Sequence, residues 1–407
     1  MQLYLMSVGH ALSAVVELSE RLFILYDCGL QGHASSSNPA LEFLSERIDG
    51  DCEIYAFVSH LDLDHINGFE DLRSDKFKKV RRAIRGFFCN KLLETTVIRA
   101  ALATEAGLRR SIVGSPLART YRSLWALTQL LALENQILAE QGAPFEPALL
   151  GKTLDSGKLS ARFVASCKRE GVDPKIWGPT ESRLATATDL TFVDATTSTP
   201  SDVLGAIARG LPASNDTSIV LQLIGRSDER ILLLGDATGE ELEEALDSGL
   251  VQADLQSDVI VASHHGASLS RGIESEDTRI LQGLARSGSI DGGGLVLVSN
   301  GSRGVSTSRT RCHPHPSVVS ACRSLNLSIR CTAVPKQIES PTKTQIDKVD
   351  SDLLRYLGSR VQSVSMSGDD SAQGSECNGS IRCGLSSSGV KITTVGTGHG
   401  QHGCCQT

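Results

Sequence analysis

Short apolar runs ending in Asp or Gly, separated by leucines at helical spacing, dominate the chain. Residues 3–8 and 14–18 have strand-like patterning, and residues 22–26 are a continuous apolar run stopped by Asp27-Cys28-Gly29. A short apolar run closed by turn formers reads as a buried strand. Residues 40–48 read as a helix, because Leu41, Leu44 and Ile48 share one face. Residues 54–58 are the next strand and lead straight into Ser59-His60-Leu61-Asp62-Leu63-Asp64-His65.

The texture changes over residues 69–190. Lys76, Lys78, Lys79, Arg81, Arg82 and Arg85 form a basic stretch followed by Phe87 and Phe88. Helical spacing appears over 92–108 and 119–138, where Leu124, Leu127, Leu130, Leu131, Leu133 and Ile137 recur, and again over 162–169. Residues 69–185 are therefore expected to be a mostly helical insertion. Strand character returns at 190–193, 218–224 and 231–234. Residues 240–246 then read as a helix, 259–261 as a strand, 295–299 as a strand and 317–325 as a helix. Strands alternating with helices define an α/β layered domain. Its two parts are 1–68 and 186–340. Residues 341–407 differ: 365–378 are Ser/Gly/Asp-rich and expected to be disordered, and 380–394 alternate around a Ser-Ser-Ser-Gly turn as a candidate terminal hairpin.

Composition narrows the classes. The chain has 407 residues, 40% hydrophobic and only 4% aromatic, so its core must rest on aliphatic side chains. A net charge of −7 argues against a general nucleic-acid coat but leaves room for a local basic groove. No secretory signal opens the chain and no apolar run reaches membrane-spanning length. The expectation is a soluble cytoplasmic protein whose eleven cysteines are reduced. Cys404 and Cys405 lie in a Gly/His-rich tail expected to be unstructured.

The chemistry concentrates at strand ends. His60-x-Asp62-x-Asp64-His65 puts four potential ligands on one short stretch after a strand. Carboxylates crowded there repel one another unless a cation lies among them, and mixed N/O ligands suit Zn²⁺, Mn²⁺ or Fe²⁺. Gly68 is expected to let the backbone turn sharply afterwards. Residues 231–234 end in Gly235-Asp236, and 259–263 end in His264-His265-Gly266. In α/β sheets the ligand crevice forms at the strand C-termini, so these three places can converge.

Together with Val8-Gly9-His10, Asn215-Asp216-Thr217-Ser218 and His313-Pro314-His315-Pro316, this order of motifs resembles the metallo-β-lactamase fold superfamily. Within it the chain looks most like the metallo-hydrolase domain of ComEC-type competence proteins. The resemblance spans roughly residues 1–68 and 186–335. It implies an α/β fold, an αββα four-layer sandwich, here carrying the helical insertion, and one or two divalent metal ions, Zn²⁺ or Mn²⁺. His60 and Asp62 would serve one metal position. Asp64, His65 and a histidine of the 264–265 pair, with His265 favoured, would serve the other. Asp236 would bridge them, and Asp27 would brace the loop.

In that scheme Asp64 also orients the attacking water, His264 and His313 face the substrate, and Asn215, Asn300 and His315 contact it, with Ser302 and Arg303 on the same loop. Two departures weaken the first position: Asp stands at 62 where the commoner pattern has His, and no histidine occurs from 66 to 263. The implied reaction is hydrolysis of a phosphodiester by metal-activated water. The substrate is anionic, and single-stranded nucleic acid held through residues 76–85 is one form of it; no membrane is involved. Hydrolysis of another ester, an amide, a thioester or a lactone remains open. So does a non-catalytic sensor or partner-binding protein that uses the insertion as its interface. A diiron flavoprotein partner fits less well, given the missing intermediate histidine.

Overall fold

A computed structural model describes residues 1–6, 8, 11–30, 38–89, 118–141, 159–179, 183, 215, 217–247, 255–270, 272–286, 294–299, 314–332, 379–386 and 389–396. The chain opens with β1 (Gln2–Leu5), β2 (Ser13–Ser19), β3 (Leu22–Cys28), α1 (Pro39–Arg47) and β4 (Glu53–Val58). There follow a single turn α2 (Leu63–Ile66), a 3-10 stretch over Asn67–Arg73, α3 (Lys78–Ala83) and β5 (Ile84–Cys89). Next come α4 (Ala118–Gln141), α5 (Ala161–Arg169), β6 (Asp173–Gly178), β7 (Val220–Ile224), β8 (Arg230–Leu233) and α6 (Gly239–Asp247). The last elements are β9 (Val259–Val261), a 3-10 turn over Ser263–Gly266, α7 (Glu274–Leu284), β10 (Leu295–Val298), α8 (Pro316–Ser324), β11 (Ser328–Cys331), β12 (Gly379–Ser386) and β13 (Gly389–Gly396).

Two sheets result, with strand orders β13-β12-β1-β2-β3-β4-β5 and β11-β10-β9-β8-β7-β6. The segments β3-β4-β5 and β8-β9-β10-β11 are parallel, and their neighbours are antiparallel. The strands alternate cleanly between two apolar layers. Ile24, Tyr26, Tyr55 and Phe57 meet Leu221, Ile231, Leu233, Val259, Val261, Leu295 and Leu297 between the sheets. The alternate positions Phe23, Leu25, Ile54, Ala56 and Val58 pack outward with Leu41, Leu44, Val80, Leu130 and Ile137. On the other side Leu232, Ile260, Val296 and Val298 pack outward with Leu242, Ile280, Leu284, Val318 and Ala321. Burial on both faces is why these strands read as unbroken apolar runs. The architecture is the αββα four-layer sandwich.

Residues 69–185 are more than a helical insertion. They supply β5 to one edge of the first sheet and β6 to one edge of the second. Phe163 on α5 packs against Tyr55, Phe57 and Phe88 in the layer between the sheets, with ring centroids 4.9, 5.2 and 5.4 Å away. Such pairs contribute about 0.5–1.5 kcal/mol each beyond area burial. The basic composition of 76–85 hid β5, and Pro174 hid β6, which tolerates a proline because it is an edge strand. Phe87 and Phe88 are buried core residues, 1% and 4% exposed, and so are no platform for stacked bases. Arg81 is buried as well. It pairs with Glu140 at 2.9 Å and donates to the carbonyls of Leu72 and Ser74.

The last two strands form an antiparallel hairpin that extends the first sheet through β1. Residues 92–108, 190–193 and 365–378, and Cys404 and Cys405, lie outside the described residues. Six described cysteines are free and buried, and no described helix is long and apolar enough to cross a membrane.

Candidate metal centre

The site lies where parallel strands β3 and β4 of one sheet and β8, β9 and β10 of the other end. Inward alternation on β4 runs through Tyr55 and Phe57 to Ser59, and on β8 through Ile231 and Leu233 to Gly235. These two positions face each other across the sandwich. A Cβ on Gly235 would lie 2.6 Å from that of Ser59, and Gly235 also takes φ +56°. Glycine is therefore required there on two grounds. Further ties join the sheets: Ile219 N–H donates to Ser59 O at 2.9 Å, and Tyr26 Oη–H to Ile219 O at 2.5 Å.

Asp27 is the hub. It is fully buried and left-handed at φ 57°, a conformation Asp adopts more readily than most residues. Its Oδ1 accepts Ser59 N–H at 2.7 Å, and its Oδ2 accepts Ser59 Oγ–H at 2.7 Å and His65 Nδ1–H at 2.7 Å. Ser59 Oγ, its proton spent on Asp27, accepts from His60 Nδ1 at 3.0 Å. One carboxylate thus fixes the tautomers of both rings and leaves each Nε2 lone pair facing inward.

The facing loops complete the cluster. Asp236 follows Gly235 and is held by Ser218 Oγ, which accepts its N–H at 3.1 Å. His264 and His265 are both left-handed, with φ 46° and 55°, and Gly266 follows at φ 79°. The turn is stabilised by His264 N–H to Gly235 O at 3.1 Å and Ser263 Oγ–H to Ala237 O at 2.5 Å. Non-glycine residues in this region cost about 1–3 kcal/mol each and persist where the surroundings impose them. His265 donates Nδ1–H to Ser299 O at 3.1 Å, which again turns Nε2 inward.

His65 Nε2 lies 3.1 Å from Asp236 Oδ1, His60 Nε2 3.6 Å from Asp236 Oδ2, and His265 Nε2 3.4 Å from Asp64 Oδ2. Among the described residues, two groups have the spacing of a metal site: His60, His65 and Asp236, and Asp64, His65 and His265. His65 belongs to both, and one imidazole nitrogen binds one ion. With His65 Nε2 given to Asp64 and His265, the other position retains His60 and Asp236, with Asp62 Oδ2 4.0 Å from His60 Nε2.

Electrostatics agree with this crowding. Burial, reinforced by His65, holds His60 down to about 4. Burial also opposes charge on His65, but Asp236 and Asp27 outweigh it and raise His65 well above the usual histidine range. Burial disfavours the Asp236 carboxylate, yet His65 and His60 hold it well below the ordinary value. Asp64 is likewise held low, its burial outweighed by His265 and His65.

A divalent ion fits these residues. Among the buried side-chain atoms without a hydrogen-bond partner are His60 Nε2, His65 Nε2, Asp236 Oδ1 and His265 Nε2, all in this cluster. A buried polar atom left unsatisfied costs about 1–3 kcal/mol. Without an ion, His65 Nε2 and Asp236 Oδ1, 3.1 Å apart, can satisfy each other only with a proton between them; a divalent cation would take that proton's place and engage His60 Nε2 and His265 Nε2 as well.

The other sequence-predicted residues fall as follows. His264 is half exposed at the mouth, its Nε2 3.9 Å from Asp236 Oδ2. His315 caps α8 beside the His264–His265 turn, with its N–H on Gly266 O at 2.7 Å. Asn215 contributes its carbonyl to Ser218 N–H, and no contact from its side chain to the cluster appears among the described residues. His10, Asp216, Asn300, Ser302, Arg303 and His313 lie outside those residues. Gly68 does not mark a sharp turn. It sits in a 3-10 stretch, and a Cβ there would lie 2.3 Å from Cys28 O, so close approach explains it. Ser59, Ser218, Ser299 and Tyr26 were not assigned roles from sequence. The one signal for Ser59 was its place beside His60.

Neither a family model nor a curated protein sequence matches the chain. A crystal structure of Zn²⁺-bound PqqB from Methylobacterium extorquens aligns with a TM-score of 0.34 at 9% identity, covering 81% of this chain and 98% of that one. At that distance the similarity carries nothing about chemistry.

Proposed function

We propose that this chain is a metal-dependent hydrolase of the metallo-β-lactamase fold class. More particularly, we read it as a phosphodiesterase acting on a nucleic-acid or nucleotide substrate. The observation that carries the first statement is the convergence at the strand ends of buried imidazole nitrogens and of carboxylate oxygens, from His60, His65, Asp236, Asp64 and His265, at the spacing of a metal site. The second rests on the Asp-x-Asp-His and His-His-Gly pattern and its resemblance to the ComEC-like branch.

Asp64, His65 and His265, with Asp236 beside them, would hold the ion, Zn²⁺ or Mn²⁺. His60, Asp62 and Asp236 are the weaker second position. A divalent ion there supplies a Lewis acid that polarises the substrate and acidifies water near neutral pH. Asp64, a quarter exposed, accepts a hydrogen bond from that water and so orients it. His264, half exposed at the rim, donates to an anionic oxygen of the substrate. Asp27 and Ser59 keep the rings from swinging. Lys78, Lys79 and Arg82 are the exposed remainder of the basic stretch, since Arg81 is buried and Lys76 pairs with Glu42 at 2.7 Å. They lie on α3, which enters β5 beside the start of β4, at the end of the sheet opposite the one that carries the cluster, so they do not line the centre.

The test is elemental analysis of purified protein, followed by turnover of bis(p-nitrophenyl) phosphate beside carboxylic ester, thioester and lactam substrates, with Mn²⁺ and Zn²⁺ supplied separately. We expect bound metal, preference for the phosphodiester, and abolished turnover in Asp64→Ala and His65→Ala with unchanged circular dichroism. Wild-type turnover in both variants overturns the site. Preference for another substrate class overturns the phosphodiesterase reading, and absence of metal overturns both.

A further inference from the structure

Beside the metal cluster lies a second buried polar chain that the proposed function does not use. Asp277 on α7 is fully buried, and among the described residues it has no cation within ion-pair distance. Its carboxylate accepts Ser317 Oγ–H and, at 3.1 Å, Ser268 Oγ–H. Ser317 Oγ lies 2.7 Å from His315 Nδ1. An ionised carboxylate only accepts, so Asp277 takes the single Ser317 hydroxyl proton. Ser317 Oγ must then accept, and His315 Nδ1 must carry the proton it receives. The competing contact, Ser317 N–H to Nδ1, is longer at 3.3 Å and is the one given up. His315 is thereby fixed in the tautomer with Nε2 unprotonated.

The backbone of His315 is tied to the turn that carries His264 and His265. His315 N–H donates to Gly266 O at 2.7 Å, one residue beyond His265, and Pro314 packs on Gly266, where a Cβ would lie 3.0 Å from Pro314 Cβ. His315 is half-buried.

Resting on the phosphodiesterase reading, we propose that His315 is the proton carrier for the leaving group, and that Asp277 and Ser317 are its positioning residues. Nε2 takes a proton from water, and the resulting imidazolium shares its charge through Nδ1–H and Ser317 with the buried Asp277 carboxylate. In hydrolysis, the water oxygen bonds to phosphorus and the bond from phosphorus to the leaving oxygen breaks, its electron pair staying on that oxygen. Nε2–H supplies the proton that neutralises the leaving oxygen, and the proton lost by the attacking water restores Nε2–H.

Replacing His315 by Asn tests this with a residue suited to the N-cap position, because its Nδ2 can donate to Ser317 Oγ and its Oδ1 can accept a first-turn N–H, while nothing occupies the Nε2 position. A p-nitrophenolate leaves without a proton and a nucleoside alkoxide does not. We therefore expect His315→Asn to lower kcat on a dinucleoside phosphate about 10²-fold or more, with a much smaller change on bis(p-nitrophenyl) phosphate and little change in KM. Histidine-selective ¹⁵N spectra of the wild type, assigned by difference against His315→Asn, should show Nδ1 protonated and Nε2 not. Ser317→Ala should erase that bias, and Ser317→Thr should keep it.

Equal loss on both esters, or wild-type kcat on the dinucleoside phosphate, overturns the proposal, as does an unprotonated Nδ1 in the wild type. Failure of the phosphodiesterase reading is seen separately, as wild-type protein that turns over neither ester. The nitrogen spectra still decide whether Asp277 and Ser317 hold the ring.

Discussion

Asp27→Asn isolates the brace from the ligands. Asn adopts the left-handed conformation as readily as Asp, so the φ of 57° is kept. The amide is isosteric, but one oxygen becomes a donor. If Oδ1 stays on Ser59 N–H, the new NH₂ faces Ser59 Oγ–H and His65 Nδ1–H, each of which was bonded to Oδ2 at 2.7 Å. If the amide is flipped, the NH₂ faces Ser59 N–H instead. Either way a donor meets a donor. Hydrogen bonds to a charged group contribute about 1.5–3 kcal/mol each, although relief of a buried charge offsets part of that loss.

What the substitution cannot restore is the orientation of His65 and, through Ser59, of His60. Loss of such a brace typically costs about 10–100-fold in metal affinity. At free metal 100 times the wild-type Kd, the metal-linked stabilisation of about 2.7 kcal/mol would fall to about 0.4 kcal/mol for a 100-fold weaker site. The assay is chelator-competition titration of Zn²⁺ and Mn²⁺, with thermal unfolding at fixed free metal. Wild-type affinity in Asp27→Asn, with the fold intact, would refute the claim that this carboxylate sets the ligand geometry.

Other expectations follow from the same contacts. Chelation of the metal-loaded protein should lower Tm reversibly, since the ion satisfies atoms otherwise buried without partners, and a Tm indifferent to chelator would argue that no ion binds there. Gly235→Ala should destabilise by more than about 1 kcal/mol and weaken metal binding, because the methyl meets Ser59 in a left-handed backbone; urea unfolding and the same metal titration measure both. Phe88→Ala should cost about 3–5 kcal/mol in urea unfolding, as expected of a core residue stacked on Phe57 at 4.6 Å, whereas a neutral result would reopen a surface role.

The two halves of the αββα core and the loops that bear the candidate ligands were legible because their signals are local. An apolar run, a helical spacing, or a carboxylate beside a glycine at a strand end is contained within a few residues. The motifs 60–65, 235–236 and 264–266 could be placed at strand C-termini for that reason. The chain outside them was less legible. Charge concealed β5, proline concealed β6, and a stretch read as an insertion supplies an edge strand to each sheet and packs Phe163 between them.

What only the tertiary structure decided depends on contacts far apart in sequence. Asp27 reaches Ser59 across 32 residues and His65 across 38, and Tyr26 reaches Ile219 across 193. Two adjacent histidines that look equivalent in sequence are separated by the left-handed turn into one buried against Asp64 and one half exposed. The pairing of Asp277 with Ser317 across 40 residues likewise carries no local mark. Hydrogen-bond geometry and burial are properties of packed neighbours. The sequence specifies them only through the fold as a whole.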